Sequence, residues 1–320
     1  MPQPERKLIE RIRRLTVRRG TSSLVRGIGD DCAILRVATG HHLLITTDLS
    51  IEGVHFRRKW HPAESVGHRC LARGLSDIAA MGGEPLACFL SLGLPARLPQ
   101  LWVDGFVRGF ERLARRFRLP LAGGDTSAAP RITADIVVAG QIPAGRAVLR
   151  SGARPGDRIY VTGELGASAA ALKRLFAGQR APSRMKRSVF HPEPRVSIGR
   201  RLREKKIASS MIDLSDGLSV DLGHICDESR VGATISARAI PVAHGATLDL
   251  ALHGGEDYEL LFTAGPRITV PARIAGVKVT EIGRIHARKD YPAAIRILHE
   301  NGNARTLEPQ GWEHFHQRIR

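Results

Sequence analysis

Three observations predict a two-domain α+β (α/β) chain: apolar strand-like runs alternate with longer helical segments, the length is 320 residues, and a proline-, glycine- and arginine-rich stretch divides the chain near its middle. Strands are expected where aliphatic residues run between turn signals, at Cys32–Val37, His42–Thr47, Leu86–Leu94, Ile132–Gln141, Arg158–Thr162, Met211–Leu214, Tyr258–Thr263 and Val277–Ile285. Helices are expected between them, at Ala63–Met81, Gln100–Phe117, Ala167–Phe176, Arg195–Lys205 and Asp216–Glu228, several opened by a proline or serine start signal. A basic amphipathic helix is expected near the N-terminus, with Leu8, Ile9, Ile12 and Leu15 on its packed face. The stretch from Pro143 to Gly156 is the expected boundary, giving domains 1–148 and 149–320.

Composition removes several classes of function. Cys32, Cys70, Cys88 and Cys226 form no Cys-x-x-Cys pair, which argues against a zinc site or a disulfide scaffold and for reduced thiols in a cytoplasmic protein. No apolar run reaches the length of a membrane span, and residues 1–19 lack the apolar core of a signal peptide, so no membrane partner is expected. The formal net charge of +18 raises nucleic-acid binding, but the arginines are spread along the chain and no helix-turn-helix, zinc-finger or RNP signature is present. Specific nucleic-acid binding is therefore not expected; a basic surface that draws in anionic substrates is the milder reading.

The acidic residues that stand out are expected in short glycine- or serine-flanked turns: Gly29-Asp30-Asp31, Thr46-Thr47-Asp48, Ser76-Asp77, Gly123-Gly124-Asp125 and Asp213-Leu214-Ser215-Asp216-Gly217. Separated carboxylates with hydroxyls beside them suit several Mg²⁺ ions, because Mg²⁺ takes oxygen ligands, keeps waters and commonly uses one or two carboxylates plus nucleotide phosphates. Asp30 stands either in an acidic turn or at a metal. Asp77 falls in the last turn of an expected helix, where a carboxylate opposes the helix dipole and needs a compensating cation, either an arginine such as Arg73 or Mg²⁺. Thr46, Thr47 and Asp48 are expected to close a strand with oxygen donors. Gly124 and Asp125 are expected in a turn where backbone approaches phosphate closely, and Ser215 either caps a helix or touches a phosphate. No Gly-Lys dipeptide and no Asp-Phe-Gly sequence occurs, so neither a P-loop nor a protein-kinase site is present.

The segments GIGDDCAIL (27–35), TTDLSIEGVHF (46–56), LSDIAAMGGEP (75–85), LAGGDTS (121–127), LRSGARPGDRIYVTGELG (149–166), MIDLSDGL (211–218) and GGEDYELLFT (254–263) together resemble the thiamine-monophosphate kinases, of the superfamily that also contains aminoimidazole ribonucleotide synthetase and selenophosphate synthetase. One departure is Gly74, where asparagine is more usual. The resemblance implies an N-terminal sheet-plus-helices domain that pairs across a homodimer and a C-terminal α/β domain with a mixed sheet. It implies Mg²⁺ held by Asp30, Thr46, Thr47, Asp48, Asp77, Asp125, Asp213 and Asp216, and ATP contacted by Gly124, Asp125, Arg150 and Ser215. It implies that Asp125, Asp213 and Arg150 act in catalysis and that thiamine monophosphate lies near His55, Glu256 and Trp312.

The implied reaction is transfer of a phosphoryl group from ATP to thiamine monophosphate. The acceptor, with a second pKa near ~6, is already largely dianionic at neutral pH and needs no general base. Bringing two such anions together requires counter-ions, which accounts for the number of aspartates. Glu256 is placed to offset a cationic ring, and Trp312 to stack on one. The sibling enzymes are less well matched: Lys7 falls in an amphipathic helix rather than a glycine-rich segment, and the residues around His316 include no cysteine.

Overall fold

The computed structural model describes residues 5–16, 23–26, 28, 32–288 and 295–311. They fall into two compact units: residues 1–78, 83–146 and 190–194, and residues 79–82, 147–189 and 195–320.

The first unit runs α1 (Glu5–Thr16), β1 (Leu24–Arg26), β2 (Ile34–Leu35), β3 (His41–Ile51), α2 (Ala63–Ala80), β4 (Glu84–Leu94), α3 (Gln100–Arg116), β5 (Leu121–Ala128) and β6 (Thr133–Pro143). Its main sheet has the order β3-β6-β4-β5, antiparallel except for the parallel β4/β5 pair. Strand alternation sorts the side chains. Leu90, Leu92, Leu94, Ile136 and Val138 point into a core with Leu71, Leu75 and Ile78 of α2 and Phe106, Phe110 and Leu113 of α3. The two helices approach closely enough to demand glycine: a Cβ on Gly67 would sit 2.0 Å from the Phe106 carbonyl, and one on Gly109 1.8 Å from that of Glu64. Gly74, the departure noted above, faces β6, where a Cβ would come within 2.6 Å of Val138 Cγ2.

The second unit contains β7 (Arg158–Thr162), α4 (Ala167–Phe176), α5 (Ser183–Phe190), α6 (Val196–Glu204), β8 (Ser210–Asp213), α7 (Leu218–Ser229), β9 (Val231–Ser236), α8 (Leu248–His253), β10 (Leu260–Ala264), β11 (Arg273–Ile274), β12 (Val277–Ala287), β13 (Ile295–Leu298) and β14 (Ala304–Thr306). The sheet runs β14-β13-β9-β12-β7-β10-β8 with β11 beside β12, and of the described pairs in this sheet only β13/β9 is parallel, so it is mixed as expected. Ile159, Val161, Ile212, Leu261, Ile282 and Ile285 of the sheet pack with Leu218, Leu222 and Ile225 of α7. Among the described residues no helix is long and apolar enough to cross a membrane.

Two expectations are corrected. Gly123, Gly124 and Asp125, read as a glycine turn, lie within β5 (Leu121–Ala128), an edge strand paired in parallel with β4. Thr46, Thr47 and Asp48 do not close β3 but lie within it, because the strand continues to Ile51 against Thr133 of β6.

Candidate active site

In the first unit, period-2 alternation divides β3. Thr46 and Asp48 turn toward α2, while Thr47 turns to the opposite face of the sheet. On the α2 side, the Thr46 hydroxyl donates to Asp77 Oδ2. Asp48 Oδ1 pairs with Arg73 Nη2 at 3.1 Å, and Arg73 Nη1 donates to the Leu49 carbonyl at 3.0 Å. Asp77 and Arg73 both lie on α2, four residues apart, so one helical face meets one strand and gathers two carboxylates, one hydroxyl and a guanidinium. All four residues are half-buried. On the other face, Thr47 Oγ1 donates to Asp135 Oδ1 at 2.9 Å. Asp135 pairs in register with Ser91, and Ser91 with Asp125. Asp125 therefore shares the Asp135 face but lies three strands from β3, roughly 14 Å at normal strand spacing. Among the described residues, the candidate aspartates Asp48 and Asp77 therefore lie on one face of the sheet and Asp125 and Asp135 on the other.

β5 is shaped by glycine where a side chain is excluded. Gly124 has φ +151°, and a Cβ there would lie 1.9 Å from the Leu90 carbonyl. Asp125 Oδ1 accepts from the Thr126 N–H at 2.8 Å. Beside this segment is a groove of about 530 Å³ lined by Ile9, Ile12, Phe89, Leu121 and residues 123–126, among others. The Thr126 hydroxyl is buried there without a hydrogen-bond partner among the described residues. A mostly apolar wall ending in a glycine-aspartate edge fits a planar base with its phosphates beyond it.

In the second unit, Asp213 ends β8 in a buried position, and the chain turns through Leu214, Ser215 and Asp216 into α7, whose N-cap is Gly217 at φ +113°. The facing loop 254–258 holds that turn by main chain: Glu256 N–H donates to the Ser215 carbonyl (2.8 Å), Tyr258 N–H to that of Leu214 (2.9 Å), and Leu214 N–H to that of Glu259 (2.8 Å). Glu256 (φ +65°) and Tyr258 (φ +51°) occupy the left-handed region without being glycine, a strained backbone of the kind that surrounding contacts must enforce. Asp257 between them accepts the Gly166 N–H at the start of α4 (2.8 Å), and burial pushes its carboxyl up to about 8. Donor atoms of Asp216, Asp221 and His224 lie within 4.8 Å of one another. Burial, and then the charges of Asp213 and Asp216, hold the Asp221 carboxyl well above the usual range.

Arg150 opens the 3-10 turn Arg150–Gly152, with an exposed side chain and a carbonyl that accepts the Ser229 hydroxyl at 2.7 Å. His55 is half-buried, and its Nδ1 accepts the Ile51 N–H at 3.0 Å, so the proton of the neutral ring is on Nε2. Asp30 and Trp312 lie outside the described residues. Sequence reasoning missed Asp135, hidden inside an apolar strand, and Asp221, which resembles an ordinary helix-surface acid. The signal for Asp221 was its position five residues after Asp216 at a helix start.

The carboxylates and hydroxyls around Asp48 and Asp77 and around Asp213 and Asp216 are hard oxygen donors, the set that fits Mg²⁺. Residues 29–142 match the family described as AIR synthase related protein, N-terminal domain, and residues 154–294 the corresponding C-terminal domain. The chain is 39% identical over 306 residues to the thiamine-monophosphate kinase of Salmonella typhimurium, covering 90% of this chain and 91% of that protein. Its structure matches a thiamine-monophosphate kinase from Stenotrophomonas maltophilia with a TM-score of 0.80 at 35% identity, over 93% of this chain and 96% of that one. It also matches AaThiL complexed with AMPPCP and TMP, with a TM-score of 0.77 at 30% identity, over 88% and 89%. Likeness of this extent, at this identity, places the chain in the thiamine-monophosphate kinase family of enzymes.

Proposed function

We propose that this enzyme transfers the γ-phosphoryl group of ATP to thiamine monophosphate in one in-line step, giving ADP and thiamine diphosphate. The observation that carries the reading is the likeness, over 88% of this chain, to a protein complexed with AMPPCP and TMP. The groove beside Gly123–Thr126 supports the nucleotide half of it. In this reading residues 1–148 bind ATP and Mg²⁺, and residues 149–320 contribute Arg150, Ser215, Asp213, Asp216, Glu256 and Trp312.

Asp30, Thr46, Thr47, Asp48, Asp77, Asp125, Asp213 and Asp216 would hold Mg²⁺, which when bound offsets the charge of the donor and acceptor phosphates. Gly124 and Asp125 seat the ATP phosphates at the β5 edge, and Arg150 adds a permanent positive charge. His55 presents its Nε2–H to the substrate, and Glu256 faces the cationic ring. The acceptor phosphate is its own nucleophile, so what the protein supplies is position and charge balance.

The partner is a second copy of the chain. β3 is an edge strand of eleven residues whose face turned away from α2 exposes Leu43, Ile45 and Leu49, with Ile45 66% accessible. Such an edge in a monomer invites pairing, and a homodimer would cover it. The four free thiols agree with a cytoplasmic location.

The test is ADP release from the purified chain with ATP, with and without Mg²⁺ and thiamine monophosphate. Formation of diphosphate that needs both supports the reading. ATP turnover indifferent to thiamine monophosphate would move the substrate assignment to another phosphoryl acceptor.

A further inference from the structure

We propose that Asp221 is a positioning residue for the phosphoryl-transfer site: its buried side chain holds the Asp213–Gly217 turn in shape by accepting the main-chain N–H groups of Asp216 (3.2 Å) and Gly217 (3.0 Å). The inference rests on the functional reading above for the role of that turn.

The turn needs such an acceptor for local reasons. The first N–H groups of a helix have no partner within the helix, and a side chain at the N-cap usually accepts from one of them. Here the N-cap is Gly217, at φ +113°, with no side-chain cap, and a Cβ there would come 3.0 Å from the His253 carbonyl carbon. An aspartate or serine is excluded from the position that would normally supply the oxygen. Asp221, four residues on inside the helix, serves a different pair of donors, the N–H groups of Asp216 and Gly217 just ahead of the first turn, in the sense of the reciprocal half of a capping box. Asp221 is 1% exposed, so its rotamer is fixed by packing. One oxygen, Oδ2, takes both N–H groups, which ties the Asp216 backbone to the first turns of α7.

The two sides of the turn are thus held by different means. Leu214 and Ser215 are pinned by the 254–259 main chain, and Asp216 and Gly217 by the Asp221 side chain. Ser219 Oγ, two residues before Asp221, lies 2.9 Å from His253 Nδ1, which fastens the start of α7 to the end of α8. With the helix start fixed and the Ser215 carbonyl held by the Glu256 N–H, loss of the Asp221 oxygen frees the peptide between Asp216 and Gly217 to rotate, and with it the direction of the Asp216 carboxylate. A residue that acts this way needs an acceptor oxygen, not a negative charge.

The discriminating pair is therefore Asp221→Asn, which keeps the oxygen, and Asp221→Ala, which removes it. In the full-length enzyme, steady-state turnover is measured against Mg²⁺ concentration, alongside thermal melting of each variant. Positioning predicts that Asp221→Asn stays within about threefold of the parent. It predicts that Asp221→Ala loses at least about tenfold in kcat, with a Mg²⁺ half-saturation raised about fivefold or more and a smaller change in KM for thiamine monophosphate. If Asp221→Ala does not fold, Asp221→Ser, whose hydroxyl falls short of both N–H groups, takes its place. Equal impairment of the Asn and Ala variants would overturn the proposal in favour of charge. A lowered melting temperature with unchanged Mg²⁺ half-saturation would overturn it in favour of a merely structural role. Mn²⁺ binding to the same proteins, followed by its paramagnetic resonance signal, reads the geometry of the turn without any turnover. It therefore separates failure of this proposal from failure of the thiamine-monophosphate assignment.

Discussion

The acids of the two units are held in different ways. In the first unit, Asp77 and Asp48 are half-buried and held by other side chains, the Thr46 hydroxyl and the Arg73 guanidinium. In the second, Asp213 and Asp221 are buried, and the turn between them is held through its main-chain groups, at Leu214 and Ser215 by the facing main chain and at Asp216 and Gly217 by the buried Asp221 carboxyl. Side-chain partners can be exchanged for a cation at little cost, since an arginine or a hydroxyl simply swings away. A main-chain turn cannot swing, so its carboxylates are held together whether or not a cation is present, and their mutual repulsion is built into the fold. One set is adaptable and the other pre-organised.

The largest effect that tests this contrast is on turnover and stability together. Asp77→Asn and Asp213→Asn are each expected to lower kcat by about 10²–10³-fold, about 3–4 kcal/mol of transition-state stabilisation. They should differ in metal-free melting. Asp77→Asn keeps an oxygen for the Thr46 hydroxyl and should leave the melting temperature nearly unchanged. Asp213→Asn removes a charge that crowds Asp221 and should raise it. A melting temperature lowered by Asp213→Asn would remove the basis for calling that set pre-organised.

Acidity sharpens the contrast with opposite signs. His68 of α2 is buried, its Nε2 lies 2.8 Å from the Pro192 carbonyl and its ring is edge-on to His191; burial pulls its pKa down to about 4 from 6.5. The unfolded chain therefore binds the proton first, and the stability His68 contributes is full above pH 6.5 and is lost as pH falls toward 4, by up to about 3 kcal/mol. Asp221 has a raised folded pKa, so its contribution is full below the ordinary aspartate pKa and is lost as pH rises through the folded value. Urea denaturation as a function of pH should show His68→Gln flattening the fall in stability below pH 6.5 and Asp221→Asn flattening the fall above the ordinary aspartate pKa. Acid sensitivity unchanged in His68→Gln would show that other groups set it.

Helices α2 and α3 were legible in the sequence to within a residue or two, and so was β7, because each carries an unbroken apolar period between clear start and stop signals. The site aspartates were legible as types but not as sets. A linear sequence shows Thr46 and Thr47 as neighbours, whereas the pleat sends them to opposite faces, one to Asp77 and the other to Asp135. Asp135 could not be found because its meaning depends on a partner 88 residues away. β9, β13 and β14 are short, and what stabilises them is their sheet neighbours rather than their own composition. β5 was read as a turn because Gly-Gly-Asp is turn chemistry when no partner strand is known.

β5 gives the smallest of these effects and the one most specific to its place. Gly124 is extended into a region that L-residues rarely adopt, and the space where its Cβ would go is filled by the Leu90 carbonyl of the paired strand, 1.9 Å away. Backbone cannot yield there without breaking the parallel ladder that carries Asp125. Gly124→Ala should therefore cost about 2 kcal/mol or more in urea denaturation and should weaken ATP binding as well. Gly145 also has a positive φ, +70°, but a Cβ there meets nothing within 4 Å. Gly145→Ala isolates the conformational part, about 1 kcal/mol, and should leave nucleotide affinity unchanged. Equal stability losses for the two alanines would mean that β5 shifts to make room, and the β5 edge would then belong with the adaptable set around Asp77 rather than with the pre-organised turn around Asp213.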